Sequence, residues 1–300
     1  MKRRTVFSLT AIALCLCMAL GACGKKEEKK IVLGYDNTAE EAILAGMLTA
    51  LIQENTDIEV EVIGDLFGGE TVLHPAITSG EIDMYPEYTG TAWLTTLKHT
   101  DIPDRETLNA QLFQEYESQF DLRWVGLYGF NNSYGLAASK AAAEQYRLET
   151  YSDLAKAAPK LTFGAEPGFF EREDGYNGLC EAYGFRFKDS SDLTFSVKYD
   201  AVAQKKVDVI NIFTTDGRLA ISDVKVLEDD KHYFPEYLCG TVIRMDTLEK
   251  YPELEDVLML MDGLITDADM SRMNNYVEVD GQEPEQVARD FLVERGLLKQ

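Results

Sequence analysis

Any chemistry in this chain would have to come from three histidines, five cysteines and 52 acidic side chains. His74, His99 and His232 lie far apart and lack the spacing of a metal site. Asp267-Ala268-Asp269 faintly matches the start of a calcium loop, but Arg272 stands where such a loop needs glycine. There is no G-x-S-x-G elbow, phosphate-binding loop, G-x-G-x-x-G or H-E-x-x-H. Carboxylate pairs such as Glu40-Glu41 and Asp229-Asp230 are numerous, and with so many acids chance accounts for them. Binding is therefore favoured over catalysis. A secreted enzyme on the same scaffold is the competing class, but it would need a nucleophile or base that the sequence does not supply. The 15 tyrosines and 14 phenylalanines are the other resource. Most must be core or surface, but an aromatic face attracts a cation.

The N-terminus bears on compartment. Lys2, Arg3 and Arg4 precede an apolar stretch from Val6 to Leu20, too short for a good membrane span and laid out like a secretory signal. It ends in Leu20-Gly21-Ala22-Cys23, which resembles a bacterial lipobox. That resemblance implies a signal over 1–22, cleavage before Cys23, and a lipid on Cys23. An ordinary signal peptide with a chance cysteine is the alternative. The charged run over 24–30 then reads as a tether, so 23–30 holds the anchor and its spacer. Cys15 and Cys17 would leave with the signal. Cys180 and Cys239 remain, as two free thiols in preference to a disulfide. The formal charge of −23 argues against nucleic acid and anionic lipid surfaces as partners and weakly favours cations.

The soluble part is long enough for two cores. Strand and helix patterns alternate, which predicts an α/β fold. Strands are expected at 31–34, 58–63, 82–85, 122–128, 161–165, 207–213, 224–227 and 237–244. A helix over 39–54 puts Ile43, Leu44, Met47, Leu48, Leu51 and Ile52 on one face. Further helices are expected at 71–79, 108–120, 152–158, 175–183 and 196–205. The last helix begins at Pro284, buries Val287, Ala288, Phe291 and Leu292, and ends at Gly296. No sequence repeat and no long linker occurs. Crossings between lobes are expected near 129–133 and 234–238. Lobe one is then 31–130 plus 238–300, and lobe two 131–237.

Several ordered stretches resemble the substrate-binding proteins of glycine betaine, choline and carnitine ABC importers. They are Gly80-Glu81-Ile82-Asp83-Met84-Tyr85-Pro86-Glu87-Tyr88-Thr89-Gly90-Thr91, Gly129-Phe130-Asn131-Asn132-Ser133-Tyr134, and Phe170-Glu171-Arg172-Glu173-Asp174-Gly175-Tyr176. Val207-Asp208-Val209-Ile210 with Thr215-Asp216-Gly217-Arg218, and Leu227-Glu228-Asp229-Asp230-Lys231-His232-Tyr233-Phe234-Pro235, complete the set. The resemblance runs from about residue 31 to the C-terminus. It implies a two-lobe, type II periplasmic-binding-protein fold with the ligand between the lobes, no cofactor and no metal. It also implies a quaternary ammonium ligand, permease and ATPase partners, and a monomer held outside the cytoplasm by its lipid anchor.

A quaternary ammonium has no N–H to donate, so aromatic faces suit it, each contributing roughly 0.5–2 kcal/mol. Motif by motif, the resemblance places the cage rings at Tyr88, Tyr134, Phe213 and Tyr237. Phe213 departs from the usual Tyr there and loses one hydroxyl. Tyr176 and Tyr199 are second-rank candidates, better explained by local packing. Arg172 and Thr91 match the groups that hold a carboxylate in betaine-binding relatives. The position of a ligand-binding Lys falls on Asp36, whose charge would repel a ligand carboxylate. Choline is therefore favoured, with glycine betaine or carnitine, or a ligand-sensing lipoprotein without transport, as alternatives.

Overall fold

The computed structural model describes residues 29–64, 69–172 and 175–299. Cys23, Glu173 and Asp174 lie outside them. The strands are β1 (Lys30–Gly34), β2 (Glu59–Ile63), β3 (Met84–Tyr88), β4 (Leu122–Asn131), β5 (Tyr134–Ser139), β6 (Thr162–Ala165), β7 (Asp189–Asp192), β8 (Val209–Phe213), β9 (Val224–Val226) and β10 (Leu238–Arg244). They form two five-stranded sheets, ordered β2-β1-β3-β10-β4 and β7-β6-β8-β5-β9. In the first, β1 runs parallel to β2 and β3, and β10 inserts antiparallel between β3 and β4. In the second, β6 runs parallel to β7 and β8, and β5 inserts antiparallel between β8 and β9. The two sheets repeat one strand pattern that the sequence does not repeat. The inserted strand comes last in the first sheet and first in the second.

Helices cover both sheets. The helix Ala39–Asn55 is capped by Thr38, whose Oγ1 accepts from the Glu41 amide at 3.1 Å. Its apolar face packs against β2, β3 and the C-terminal helix Pro284–Glu294, and Ile43, Leu44, Met47, Leu48, Leu51 and Ile52 are buried there with Val287, Ala288, Phe291 and Leu292. Thr150 and Thr266 open the helices Tyr151–Ala157 and Asp267–Glu278 with reciprocal capping boxes. A separate core forms around the second sheet from Leu136, Leu154, Phe163, Phe169 and Val209. Cys239 is buried in the first core and Cys180 is half-buried beside the second; both are free thiols.

Two connections join the lobes side by side. The chain leaves β4 at Asn131 and enters β5 at Tyr134, and it returns into β10 at Leu238. The two crossings are tied together. The Asn132 amide donates to the Tyr237 carbonyl at 3.1 Å, and the Tyr237 amide donates to Asn131 Oδ1 at 2.7 Å. The same junction receives Thr214, whose hydroxyl donates to the Asn131 carbonyl at 2.6 Å. Asp267–Glu278 reaches across the junction as well. Asn275 Nδ2 donates to the Gly217 carbonyl at 2.7 Å, and a Cβ on Gly217 would lie 2.5 Å from the Asn275 nitrogen, so only glycine allows this approach.

Candidate functional site

The crossings set a group of aromatic rings where the lobes meet. Tyr134 opens β5, and its ring centroid lies 4.9 Å from Phe213, 5.4 Å from Phe169, 5.8 Å from Phe234 and 5.9 Å from Tyr237. Phe213 ends β8, directly across from Tyr134 in the antiparallel register. Tyr237 is held against Gly90, where a Cβ would come within 2.7 Å of its ring. Two of the rings already carry protein cations. The Arg172 guanidinium sits 5.2 Å from the Tyr134 centroid, and the Lys198 ammonium 5.7 Å from that of Phe213. Lys198 is fully buried and ion-paired with Glu166. Burial lowers its pKa, and the Glu166 charge opposes that shift.

On one side of this cluster lies a cleft of about 560 Å³, lined by Tyr88 and Phe213 and by the carboxylates of Glu40, Glu41, Asp216 and Glu278, with Arg218 the one cationic side chain of its lining. Glu40 is its centre. Its Oε1 accepts from the Tyr88 hydroxyl at 2.6 Å and from Asn132 Nδ2 at 2.8 Å, and its Oε2 from Asn274 Nδ2 at 2.9 Å. Burial pushes the Glu40 pKa up, and these donors pull it back toward the ionised form. Burial likewise raises Asp216. Glu278, on the open rim, is pushed up to about 7, first by desolvation and then by the charge of Asp216. A cation entering this cleft would favour the ionised form of each group.

A second cavity, of about 690 Å³, is lined by Leu94, Thr95, Lys98, His99, Arg172 and Tyr233, among others. Its basic side chains are suited to an anion. His99 is fixed there by stacking on Trp93 at 3.8 Å and by its Nε2 contact with Glu115 at 3.0 Å. Phe213 of the cluster lines the acidic cleft, and Arg172, which lies over the Tyr134 ring, lines the basic cavity.

Of the residues named from the sequence, Tyr134, Phe213 and Tyr237 share the cluster, and Tyr88 lines the acidic cleft with Phe213. Arg172 lines the basic cavity. Thr91 ends the short helix Thr89–Thr91, one turn ahead of Leu94 and Thr95. Asp36 is at the edge: its amide donates to Glu41 Oε2 at 2.6 Å, but the residues lining the acidic cleft begin at Asn37. Tyr176 packs locally on Phe163 and Phe170, and Tyr199 donates to Asp216. Sequence reasoning passed over Glu40, Glu41, Asn132, Asp216, Asn274 and Glu278. The Glu40-Glu41 pair, read from the sequence as chance, has both side chains buried and lining the cleft. The signal was available: Glu40 lies three and four residues ahead of Ile43 and Leu44, on the face that goes inward. The other pair is structural, with Asp229 accepting from Tyr183 and from the Phe234 amide, and Asp230 from the Ser152 amide.

Residues 29–294 match the family described as the substrate-binding domain of ABC-type glycine betaine transport systems. The chain belongs to this family. It is an extracytoplasmic ABC-importer substrate-binding protein rather than an enzyme. It is 40% identical, over 99% of its length, to the ergothioneine transport permease/ergothioneine binding protein EgtU of Helicobacter pylori, and spans 54% of that longer protein. It is 32% identical to the carnitine transport binding protein OpuCC of Listeria monocytogenes, covering 97% of both chains. The crystal structure of a glycine betaine/carnitine/choline ABC transporter protein superposes with a TM-score of 0.81 at 32% identity, over 89% of this chain and 99% of the other. The fold is accordingly the two-lobe, type II binding-protein fold. No helix among the described residues is long and apolar enough to cross a membrane, and no group of metal-ligating side chains occurs among them.

Proposed function

We propose that this protein captures a trimethylammonium compound between its lobes, 31–130 plus 238–300 and 131–237, and presents it to an ABC permease. The ammonium would lie against Tyr134, Phe213, Tyr237 and Tyr88, beside the carboxylates of the acidic cleft. The observation that carries this reading is the convergence of Tyr134, Phe213 and Tyr237 at the crossings beside a cleft lined by Glu40, Glu41, Asp216 and Glu278, because aromatic faces next to carboxylates have the electrostatics a quaternary ammonium needs. Arg172, with Lys98, His99 and Thr91 nearby, would take a ligand carboxylate.

Choline is favoured by the acidity of the cleft. Ergothioneine, a trimethylammonium carboxylate with a thiolated imidazole ring, is the second reading. It is favoured by EgtU and by the presence of a basic cavity as well as an acidic one. The test is calorimetric titration of the purified protein with choline, glycine betaine, carnitine and ergothioneine at pH 5.5 and pH 8. Binding is expected for at least one of them, and more tightly at pH 8, because Glu278 sheds its proton near pH 7 and adds negative charge facing the ammonium. Glu278 is open to solvent, so the gain should be only a few-fold. Failure of all four to bind would refute the ligand class.

We further propose that Cys23 carries a lipid that holds the protein at the outer face of the membrane. Cys23→Ser is expected to move it from the membrane to the soluble fraction; retention of the variant at the membrane would remove the anchor from the account.

A further inference from the structure

The helix Asp267–Glu278 belongs to the first lobe, where Met270 and Met273 are buried in the core of the first sheet. Another of its faces grips a segment of the second lobe. Ser271 Oγ donates to the Asp216 carbonyl at 3.2 Å, Asn274 Nδ2 to that of Thr215 at 2.9 Å, and Asn275 Nδ2 to that of Gly217 at 2.7 Å. Positions 271, 274 and 275 share one helical face, so three successive carbonyls are met by three side chains in register. The segment also reaches the crossing. The Thr214 hydroxyl donates to the Asn131 carbonyl and accepts from the Ser133 amide at 2.9 Å, while the Asn131 amide donates to Asp267 Oδ1 at 2.8 Å. On the second lobe, Asp216 accepts from Tyr199, on the helix Phe195–Ala203 that packs on β8. Residues 214–218 are therefore bonded to both lobes and to the pivot between them. They also wall the acidic cleft with Thr215, Asp216 and Arg218, opposite Asn274 and Glu278 of the helix. Asn275 and Gly217 hold that wall without belonging to the lining.

We propose that residues 214–218 form a third, non-covalent crossing that keeps the acidic cleft assembled when no ligand is bound, and that Asn275 and Gly217 are positioning residues for ligand binding. Two-lobe binding proteins close on their ligands by hinge motion. A rotation that separated this segment from the helix would break all three hydrogen bonds together and open the close contact at Gly217. The lobes part instead at the basic cavity, whose walls come from Leu94 to Ile102 on one side and from Arg172 and Tyr233 on the other. A ligand then meets the carboxylates of the cleft already in place, and no affinity is lost to ordering them. The effect on affinity rests on the reading that the cleft takes a quaternary ammonium ligand; the assembly of the cleft does not.

The test is hydrogen–deuterium exchange of the whole protein, read by mass spectrometry with and without saturating choline or ergothioneine, beside calorimetry with the same two compounds. In the ligand-free wild type, peptides over 214–218 are expected to exchange within about threefold of their ligand-bound rate, while those over 94–102 slow by about tenfold or more on binding. In Asn275→Ala, 214–218 should exchange about tenfold faster without ligand, 209–213 should not change, and affinity should fall about fivefold. Fast exchange over 214–218 in the free wild type, slowed only by ligand, would mean that the cleft assembles on closure and would overturn the third crossing. Faster exchange in the variant with unchanged affinity would overturn the positioning role. If neither compound binds, the ligand reading fails, and the crossing is decided by the ligand-free rates alone: protection over 214–218 that the variant loses supports it, and protection that the variant keeps overturns it. Should Asn275→Ala fail to fold, as judged by circular dichroism, Asn275→Ser is measured instead; the wild-type comparison needs no variant.

Discussion

Tyr134→Ala is expected to weaken ligand binding by about a hundredfold, the largest effect of any single ring in the cluster. The ring contributes one face to the ammonium, worth about 0.5–2 kcal/mol. It also has four aromatic neighbours, Phe169, Phe213, Phe234 and Tyr237, and such pairs contribute about 0.5–1.5 kcal/mol beyond the area they bury. Removing it therefore frees Phe213 and Tyr237 from the positions in which they face a ligand. A combined loss of about 3 kcal/mol corresponds to about a hundredfold in affinity. Tyr134→Phe keeps the face and the packing and is expected to stay within about fivefold of the wild type. The alanine variant should also be less stable by about 1–3 kcal/mol, since a large half-buried side chain is lost, so both titrations belong well below its melting temperature. Unchanged affinity in a folded Tyr134→Ala protein would mean that the ligand does not use this cluster.

How much of this was legible in the sequence depends on the range of the forces involved. The helix Ala39–Asn55 was readable because its apolar spacing is local, and Gly80 and Gly184 ended their helices in the left-handed conformation that favours glycine. The strand Asp189–Asp192 was not. It is an exposed, wholly polar edge whose pairing comes from β6 and not from its own pattern. β5 was also missed, because Gly135-Leu136-Ala137-Ala138 has neither alternation nor strong β formers, and four of its residues are simply buried. Short motifs led to Tyr134, Phe213 and Tyr237, which the structure brings into one cluster. The motifs contain Tyr88, Asn132 and Asp216 of the acidic cleft, but none points to Glu40, Glu41, Asn274 or Glu278. The cleft walls come from residues 37–41, 213–218 and 274–278, and only the packing of the last helices against the crossings makes neighbours of Glu40 and Asn274. The Asp36 argument looked for charge within the right loop, a few residues ahead of the carboxylate on which the donors converge.

Glu40→Ala should separate folding from binding more cleanly than any other change. The folded protein holds the Glu40 pKa above its ordinary value, so burial makes the ionised carboxylate less favourable here than in the unfolded chain. Between the ordinary and the raised pKa the folded state therefore binds more protons, and stability falls as pH rises through that window. Deleting the carboxylate removes this liability. It also leaves the Tyr88 hydroxyl and the amide nitrogens of Asn132 and Asn274 without their acceptor, at about 1–3 kcal/mol for each donor that finds no water. The two effects oppose one another, so the net change in stability at pH 7 should be modest, about 1–2 kcal/mol, or roughly 2–8 °C in melting temperature. Binding has no such compensation. The variant loses a negative charge facing the ammonium and the clasp that orients Tyr88, Asn132 and Asn274, together about 2–3 kcal/mol, or roughly thirty- to a hundredfold in affinity. Thermal melts at pH 5.5 and pH 8, with and without ligand, read both effects. The ligand-free wild type should melt lower at pH 8, the variant should narrow that difference, and the ligand-induced rise should largely vanish in the variant. A variant that melts far below the wild type yet keeps its ligand-induced rise would make Glu40 a structural clasp with no part in recognition.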